Sequence, residues 1–113
     1  MIDIVYYVYI LRCSDNSLYT GYTTDVRRRY CEHISKTDKG AKYTHSRTPI
    51  SIEAVWSSDS RSAAMKLEAF IKKLRKSTKE EIIKDNSLLL KKCADRLDTQ
   101  AYTILDRKSI YED

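Results

Sequence analysis

The chain is short of the residues that let a backbone bend freely. It holds two glycines and one proline in 113 residues. Long flexible linkers are therefore not expected, and a chain of this length predicts one modest core. The cysteines, Cys13, Cys31 and Cys93, are odd in number and have no metal-clip spacing. That argues against a disulfide framework and points to reduced thiols in a cytoplasmic protein. No apolar run reaches membrane length. Residues 4–11 are the nearest approach and stop at Arg12. The start Met1-Ile2-Asp3 lacks a basic targeting region, so neither a targeting signal nor a membrane partner is expected. A Gly-rich phosphate loop is missing, and no Ser/His/Asp or Cys/His pattern stands out.

What is present suits a folded domain: 42% of residues are apolar and 33% charged, which excludes wholesale disorder. The net charge is +5 and the isoelectric point about 9.1. A surplus of this size is ordinary for a protein surface, but its distribution is uneven. Residues 24–48 carry seven basic side chains against three acidic, and residues 61–79 carry seven against one. Residues 80–113 carry six against eight. Two basic blocks in mid-chain are permissive for nucleic acid.

Residues 4–12, IVYYVYILR, are β-branched and aromatic almost without a break, which predicts a central strand buried on both faces. The turn cluster Ser14-Asp15-Asn16-Ser17 follows, and strand character resumes over 17–22, so a hairpin is expected. A two-residue loop at Asp15-Asn16 sets Tyr9 opposite Tyr22. A three-residue loop with Asn16 in the left-handed region sets Leu11 opposite Tyr19, with Tyr9 and Tyr19 diagonal on one face. Both registers are open at this level. Asp25 is a good N-cap for a helix over 25–36 with a partial stripe of Val26, Tyr30 and His33 or Ile34. Arg27, Arg28 and Arg29 stand in its first turn, the unfavourable end for cations. Residues 37–48 read as a polar loop. In residues 50–56, Ile50, Ile52, Ala54 and Trp56 alternate with polar positions, a half-buried strand. Ala63, Leu67, Phe70, Ile71 and Leu74 mark a helix over 60–75. Thr78-x-x-Glu81 resembles a capping box opening a helix near residue 79, and 87–97 predicts one more. The expected class is α+β: a small antiparallel three-stranded sheet, hairpin plus one strand, flanked by helices. The expected division is a domain over 1–86 and a helical extension or tail over 87–113.

Nine tyrosines are many, but tyrosine suits strands and the rims of cores, which accounts for most of them. Arg29 and His33 are four apart and share a helix face. On spacing alone a surface pair explains them as well as an anion-handling face does. Glu68 is the one acid in 61–79 and borders the apolar stripe. It is either a solvent-facing partner for Lys72 or a ligand for a hard ion such as Mg²⁺, which binds through one or two carboxylates and keeps its waters.

Tyr7-Val8-Tyr9, Tyr19-Thr20-Gly21 ten residues after Tyr9, Arg29 eight beyond Gly21, His33 four beyond that, and Glu68 in the following helix together resemble the GIY-YIG nuclease motif set. The likeness is closer to its short stand-alone bacterial members, the UPF0213-like group. It runs through YVYILRCSDNSLYTGYTTDVRRR, KGAKYTHSRTP at 39–49, and Ser60-Arg61-Ser62 to Leu74, spanning about residues 5–84. Tyr7 replaces the glycine of the first motif, Asn86 is the candidate for the family's late asparagine, and residues from Ser87 onward have no counterpart. The resemblance implies a divalent-metal-dependent endonuclease that hydrolyses phosphodiesters, DNA in the first instance, with little or no sequence specificity. It implies one Mg²⁺ or Mn²⁺ ion held by Glu68. Tyr9 or a water it orients would activate the nucleophile, Tyr19 would hold substrate or water, Arg29 would steady phosphate charge, and His33 would assist proton transfer. Arg27, Arg28, Lys39, Lys42, Arg47, Lys72, Lys73, Arg75 and Lys76 would track the backbone. The competing expectations are a non-catalytic nucleic-acid-binding domain, and an interaction module whose tail takes a protein partner.

Overall fold

The computed structural model describes residues 4–38 and 48–106, with backbone only at 35–38. Strand β1 (Tyr6–Cys13) and strand β2 (Leu18–Thr23) form the hairpin. Of the two loop registers the three-residue one is realised. Leu11 pairs with Tyr19 and Tyr9 with Gly21, and Asn16 adopts φ 67°, a left-handed conformation that Asn tolerates. Asp15 Oδ1 accepts the Ser17 N–H at 3.0 Å and holds the turn. Helix α1 (Val26–Asp38) follows, capped as expected: the Asp25 carboxylate accepts the Arg28 N–H at 3.1 Å.

Strand β3 (Pro49–Ser58) lies antiparallel on the other side of β1, so β1 is central. The alternation expected in β3 does not hold through its length. Ile10 pairs with Ala54 but Leu11 pairs with Ile52, a bulge that takes up Glu53 as an extra residue. Ile52 therefore shares a face with Tyr9, Leu11, Val26 and Val55, whereas Ala54 and Trp56 join Val8 and Ile10 on the other. The strand is buried on both faces because a core covers each, as the consecutive buried residues Ala54, Val55 and Trp56 show, and the bulge moves Ile52 from one core to the other.

Helix α2 (Arg61–Lys72) starts at Ser60, whose Oγ accepts the Ala63 N–H at 3.1 Å. Its buried stripe is Ala64, Leu67 and Ile71. Helix α3 (Lys76–Lys84) begins before the capping box, with Arg75 at its N-cap and no side-chain cap. Thr78 and Glu81 therefore lie inside the helix. Helix α4 (Ser87–Cys93) follows after Asn86, whose amide donates to the Ile82 carbonyl at 2.8 Å and closes the end of α3.

The three-stranded sheet needs correction. A fourth strand, β4 (Tyr102–Leu105), pairs antiparallel with β3, giving the order β2-β1-β3-β4. The expectation erred because this strand is short and follows a polar, acidic stretch. What selects it is the open hydrogen-bonding edge of β3, a tertiary cause that local pattern does not display. Tyr102 anchors it, burying its ring and donating its hydroxyl to the Ala63 carbonyl at 2.7 Å.

Two cores result, one on each face. Val8, Ile10, Ala54 and Trp56 meet α2, α3 and α4 through Leu67, Ile71, Ile82, Leu89 and Cys93. Tyr9, Leu11, Ile52 and Val55 meet α1 through Val26.

Arg12, near the end of β1, binds the hairpin to α3. Its guanidinium forks onto both carboxylate oxygens of Glu80, donates to Asn16 Oδ1 at 2.7 Å and lies 3.4 Å from Glu53 Oε1. The hydrogen bond from Arg12 holds the Glu80 carboxyl below its ordinary value near 4.5. Both side chains keep some contact with solvent, which screens the pair. Arg12→Ala should thus cost about 1–2 kcal/mol at pH 7 in urea denaturation, the lower part of what charged hydrogen bonds contribute. A depressed carboxyl stabilises the fold above its unfolded value and loses that effect as pH falls through its folded one. The gap between wild type and Arg12→Ala should therefore shrink below pH 4.5. An equal gap at pH 7 and pH 3 would refute the assignment.

Candidate active site

Glycine inside a strand weakens it unless another group needs the space. Gly21 has such a reason. A β-carbon there would lie 2.5 Å from Tyr9 Oη, 2.8 Å from Tyr9 Cζ and 3.2 Å from Tyr19 Cε1. Gly21 is the cross-strand partner of Tyr9, so the Tyr9 ring leans over bare β2 backbone toward that edge of the sheet. The ring itself is buried, 1% exposed.

Tyr19, diagonal to Tyr9, stacks at a tilt with ring centroids 6.3 Å apart. It is 41% exposed, so this side of the cluster opens to solvent. From α1, His33 meets Tyr19 edge-on at 4.9 Å, and its Nε2 lies 3.4 Å from Tyr9 Oη. One turn earlier, Arg29 hydrogen-bonds to Tyr9 and approaches Glu32 Oε1 at 3.3 Å. The Arg cluster in the first turn of α1 thus has a reason to be there: the helix presents Arg29 to the phenols.

Glu68 comes from the opposite core. Its helix α2 packs on the Val8/Ile10 face and borders β2, the edge strand where the two faces meet. Its charge is felt at the Tyr9 phenol. The side chain is 19% exposed and Lys72 Nζ stands 3.5 Å away. Tyr9, Tyr19 and His33 meet beside Gly21, while Arg29 and Glu68 bear on the Tyr9 phenol through their charges. Gly21 entered the sequence reading only as part of a motif; the isolated glycine within a strand pattern was the signal for its steric role.

Tyr9 is held neutral. Burial, then the neighbouring Tyr19, pushes its pKa up to about 12, and Arg29 offsets only part of that rise. Arg29 keeps its charge: burial opposes it, but hydrogen bonds to Glu32 and Tyr9 raise its pKa. The free site thus presents a protonated phenol beside a guanidinium, an imidazole and one carboxylate.

Among the described residues no three His, Cys, Asp or Glu side chains gather as a metal cage. A single carboxylate at an open edge fits a hydrated hard ion that fills its remaining positions with water and phosphate. It does not fit a closed structural zinc site.

The basic residues expected to track nucleic acid are dispersed. Arg27 and Arg28 are exposed on α1, and Arg75 is exposed at the start of α3. Lys72 is held by Glu68 and Lys76 by Glu80, at 3.5 and 3.6 Å. Lys73 lines a cavity on the α4 side. Lys39, Lys42 and Arg47 lie outside the described residues. No helix of the described residues is long and apolar enough to cross a membrane.

Comparison with known proteins gives a consistent result. The family model of the GIY-YIG catalytic domain matches residues 5–81. A UPF0213 protein of Fusobacterium nucleatum is 54% identical over 78 residues, covering 69% of this chain and 76% of that protein. One from Natronomonas pharaonis is 48% identical over 82 residues, 73% of this chain and 94% of that protein. The solution NMR structure of a UPF0213 protein from Bacillus halodurans is 46% identical and covers 71% of this chain and 83% of that one, with a TM-score of 0.46.

Two outcomes follow from the geometry. Gly21→Ala should cost about 1–3 kcal/mol, the range for overpacking a filled core. Pairing it with Tyr9→Phe, which removes the closest atom, should recover part of that loss. Additive losses would show that the close approach is not what constrains position 21. The raised phenol pKa also carries a sign. Between pH 10 and 12 the unfolded chain gives up the Tyr9 proton while the folded chain keeps it, so stability is full below pH 10 and falls as pH rises toward 12. Tyr9→Phe should lose less stability than wild type between pH 9 and pH 11 in urea titrations, with Tyr102, likewise raised to about 12 by burial, supplying the remainder. An identical loss in both proteins would refute it.

Proposed function

Since this chain belongs to the GIY-YIG family, a nuclease superfamily, we propose that it is a divalent-metal-dependent endonuclease hydrolysing phosphodiester bonds, with DNA as its first substrate. The observation carrying this reading is the convergence of Tyr9, Tyr19, Arg29 and His33 over Gly21, with Glu68 in electrostatic range.

The residues divide the work by their chemistry. A phenol with a pKa near 12 is a poor base on its own. His33 Nε2 lies 3.4 Å from that oxygen and is the adjacent group that can take a proton. The attacking water binds at Tyr9 Oη. As its oxygen bonds to phosphorus, its proton passes to the phenol oxygen while the phenol proton passes to His33. The bond from phosphorus to one nucleoside oxygen breaks, and that oxygen takes a proton from solvent. Arg29, fixed by Glu32 and Tyr9, faces the phosphate with a planar fork suited to its oxygens. Tyr19, partly open to solvent, positions the substrate against His33. Glu68 would hold the ion, Mg²⁺ or Mn²⁺, which when bound supplies Lewis-acid stabilisation of charge on the leaving oxygen.

Specificity should be weak. The site offers handles for phosphate, and contacts of that kind position a strand without reading its bases.

Glu68→Ala should abolish cutting in Mg²⁺ or Mn²⁺ and leave nucleic-acid affinity within about twofold, since one carboxylate contributes nothing to phosphate attraction. Arg29→Ala should lower the cleavage rate by about 10²–10³-fold, as loss of a charge-stabilising donor does elsewhere. The measurement is cleavage of labelled single-stranded, duplex and branched DNA and RNA, with binding followed in EDTA. If wild type binds but never cuts any of them, the chain is a non-catalytic nucleic-acid-binding domain.

A further inference from the structure

A second basic region lies away from the tyrosine cluster, between α2 and the segment 87–101. Two cavities of about 150 and 480 Å³ adjoin there. Arg96 lines both, so the two meet at its side chain, one beside Lys66 and the other beside Phe70 and Lys73. Lys66, Phe70 and Lys73 fall at i, i+4 and i+7 and present one face of α2, with the two lysines about 10 Å apart along the axis. Glu68 leaves the helix on the far flank, about 200° round from Lys66. The opposite wall comes from α4 and the turn after it. Leu89 and Cys93 are buried in the core, which aims Lys92 and Arg96, four apart, along the groove.

Cations outnumber acids on these walls by four to two. Lys66, Lys73, Lys92 and Arg96 make no ion pair among the described residues, and the acids are Asp95 and Asp98, the latter accepting the Gln100 N–H at 3.0 Å. Four cations on two walls, spread over two helical turns, suit an anion with repeated charges better than a small one. Phe70, half-buried and packed against the core, lines the floor between the charges, as aromatic side chains do in nucleic-acid channels. The α4 wall also lies outside residues 5–81, the span matched by the family model.

We propose that the α2–α4 groove is a second track for a nucleic-acid phosphate backbone, extending the substrate contact of the catalytic face around α2. It rests on the reading of the chain as a nucleic-acid enzyme, and it assigns Lys66, Lys73, Lys92 and Arg96 as backbone contacts.

The test is fluorescence-anisotropy binding of a labelled 40-residue DNA, single-stranded and duplex, to the full chain in EDTA from 50 to 200 mM salt. Lys92→Ala/Arg96→Ala should weaken binding about tenfold at low salt and flatten the log–log salt slope by about 1.4 to 1.8, two phosphate contacts' worth. The control Lys84→Ala/Lys91→Ala removes the same charge from exposed positions that do not line the groove and should change affinity by less than about twofold. Unchanged affinity and slope in the groove variant would overturn the proposal. So would an equal loss in the control, which would mean a diffuse field. Loss of poly-glutamate binding with DNA binding intact would also overturn it, marking a protein-docking groove instead. The two readings fail separately: wild type that binds and never cuts sinks the nuclease, whereas wild type that cuts beside a groove variant binding normally sinks only the track.

Discussion

The Tyr9 hydroxyl occupies the space where a side chain at position 21 would begin. The site depends on that one steric fact. Because Gly21 has no β-carbon, a buried phenol rooted on one face of the sheet can lean to its β2 edge. At that edge His33 of α1 lies 3.4 Å from the oxygen, and Arg29 and Glu68, from helices packed on opposite faces, act on it electrostatically. A glycine that costs the strand stability is retained for a geometry no other residue permits.

The same arrangement sets the electrostatics. Burial that seats the ring also keeps its proton on. Arg29 is tethered on two sides, by Glu32 and Tyr9, and arrives with its orientation already settled. Reactive groups held this way need little rearrangement when charge develops. Arg12 plays the corresponding part for the scaffold, joining β1, the hairpin turn, β3 and α3 through one guanidinium.

Much of this was legible in the residues. The unbroken apolar run of β1 announced a central strand, and the stripe through Ala63, Leu67, Phe70, Ile71 and Leu74 announced α2, although the structure buries Ala64 in place of Ala63. The nearness of Tyr9, Tyr19 and His33 was suggested by a resemblance and not by periodicity. Three features were not legible. The hairpin register turned on the backbone of Asn16, which composition leaves free. The start of α3 passed over a plausible capping box, the helix beginning at Lys76 with no side-chain cap. The fourth strand exists because β3 has an edge to cover, and Tyr102 finds its partner in a carbonyl 39 residues away.

The extra residue in β3 has a further consequence. It exchanges which core alternate side chains face, so the strand has a phase boundary at Glu53, and a second shift of register lies at Ile50. Relatives without the insertion would show unbroken alternation, and laying the two sequences side by side without a gap would equate residues that face opposite cores. Glu53 is also where Arg12 makes its third contact. The irregular position is thereby pinned from the neighbouring strand, and the offset cannot migrate along the ladder.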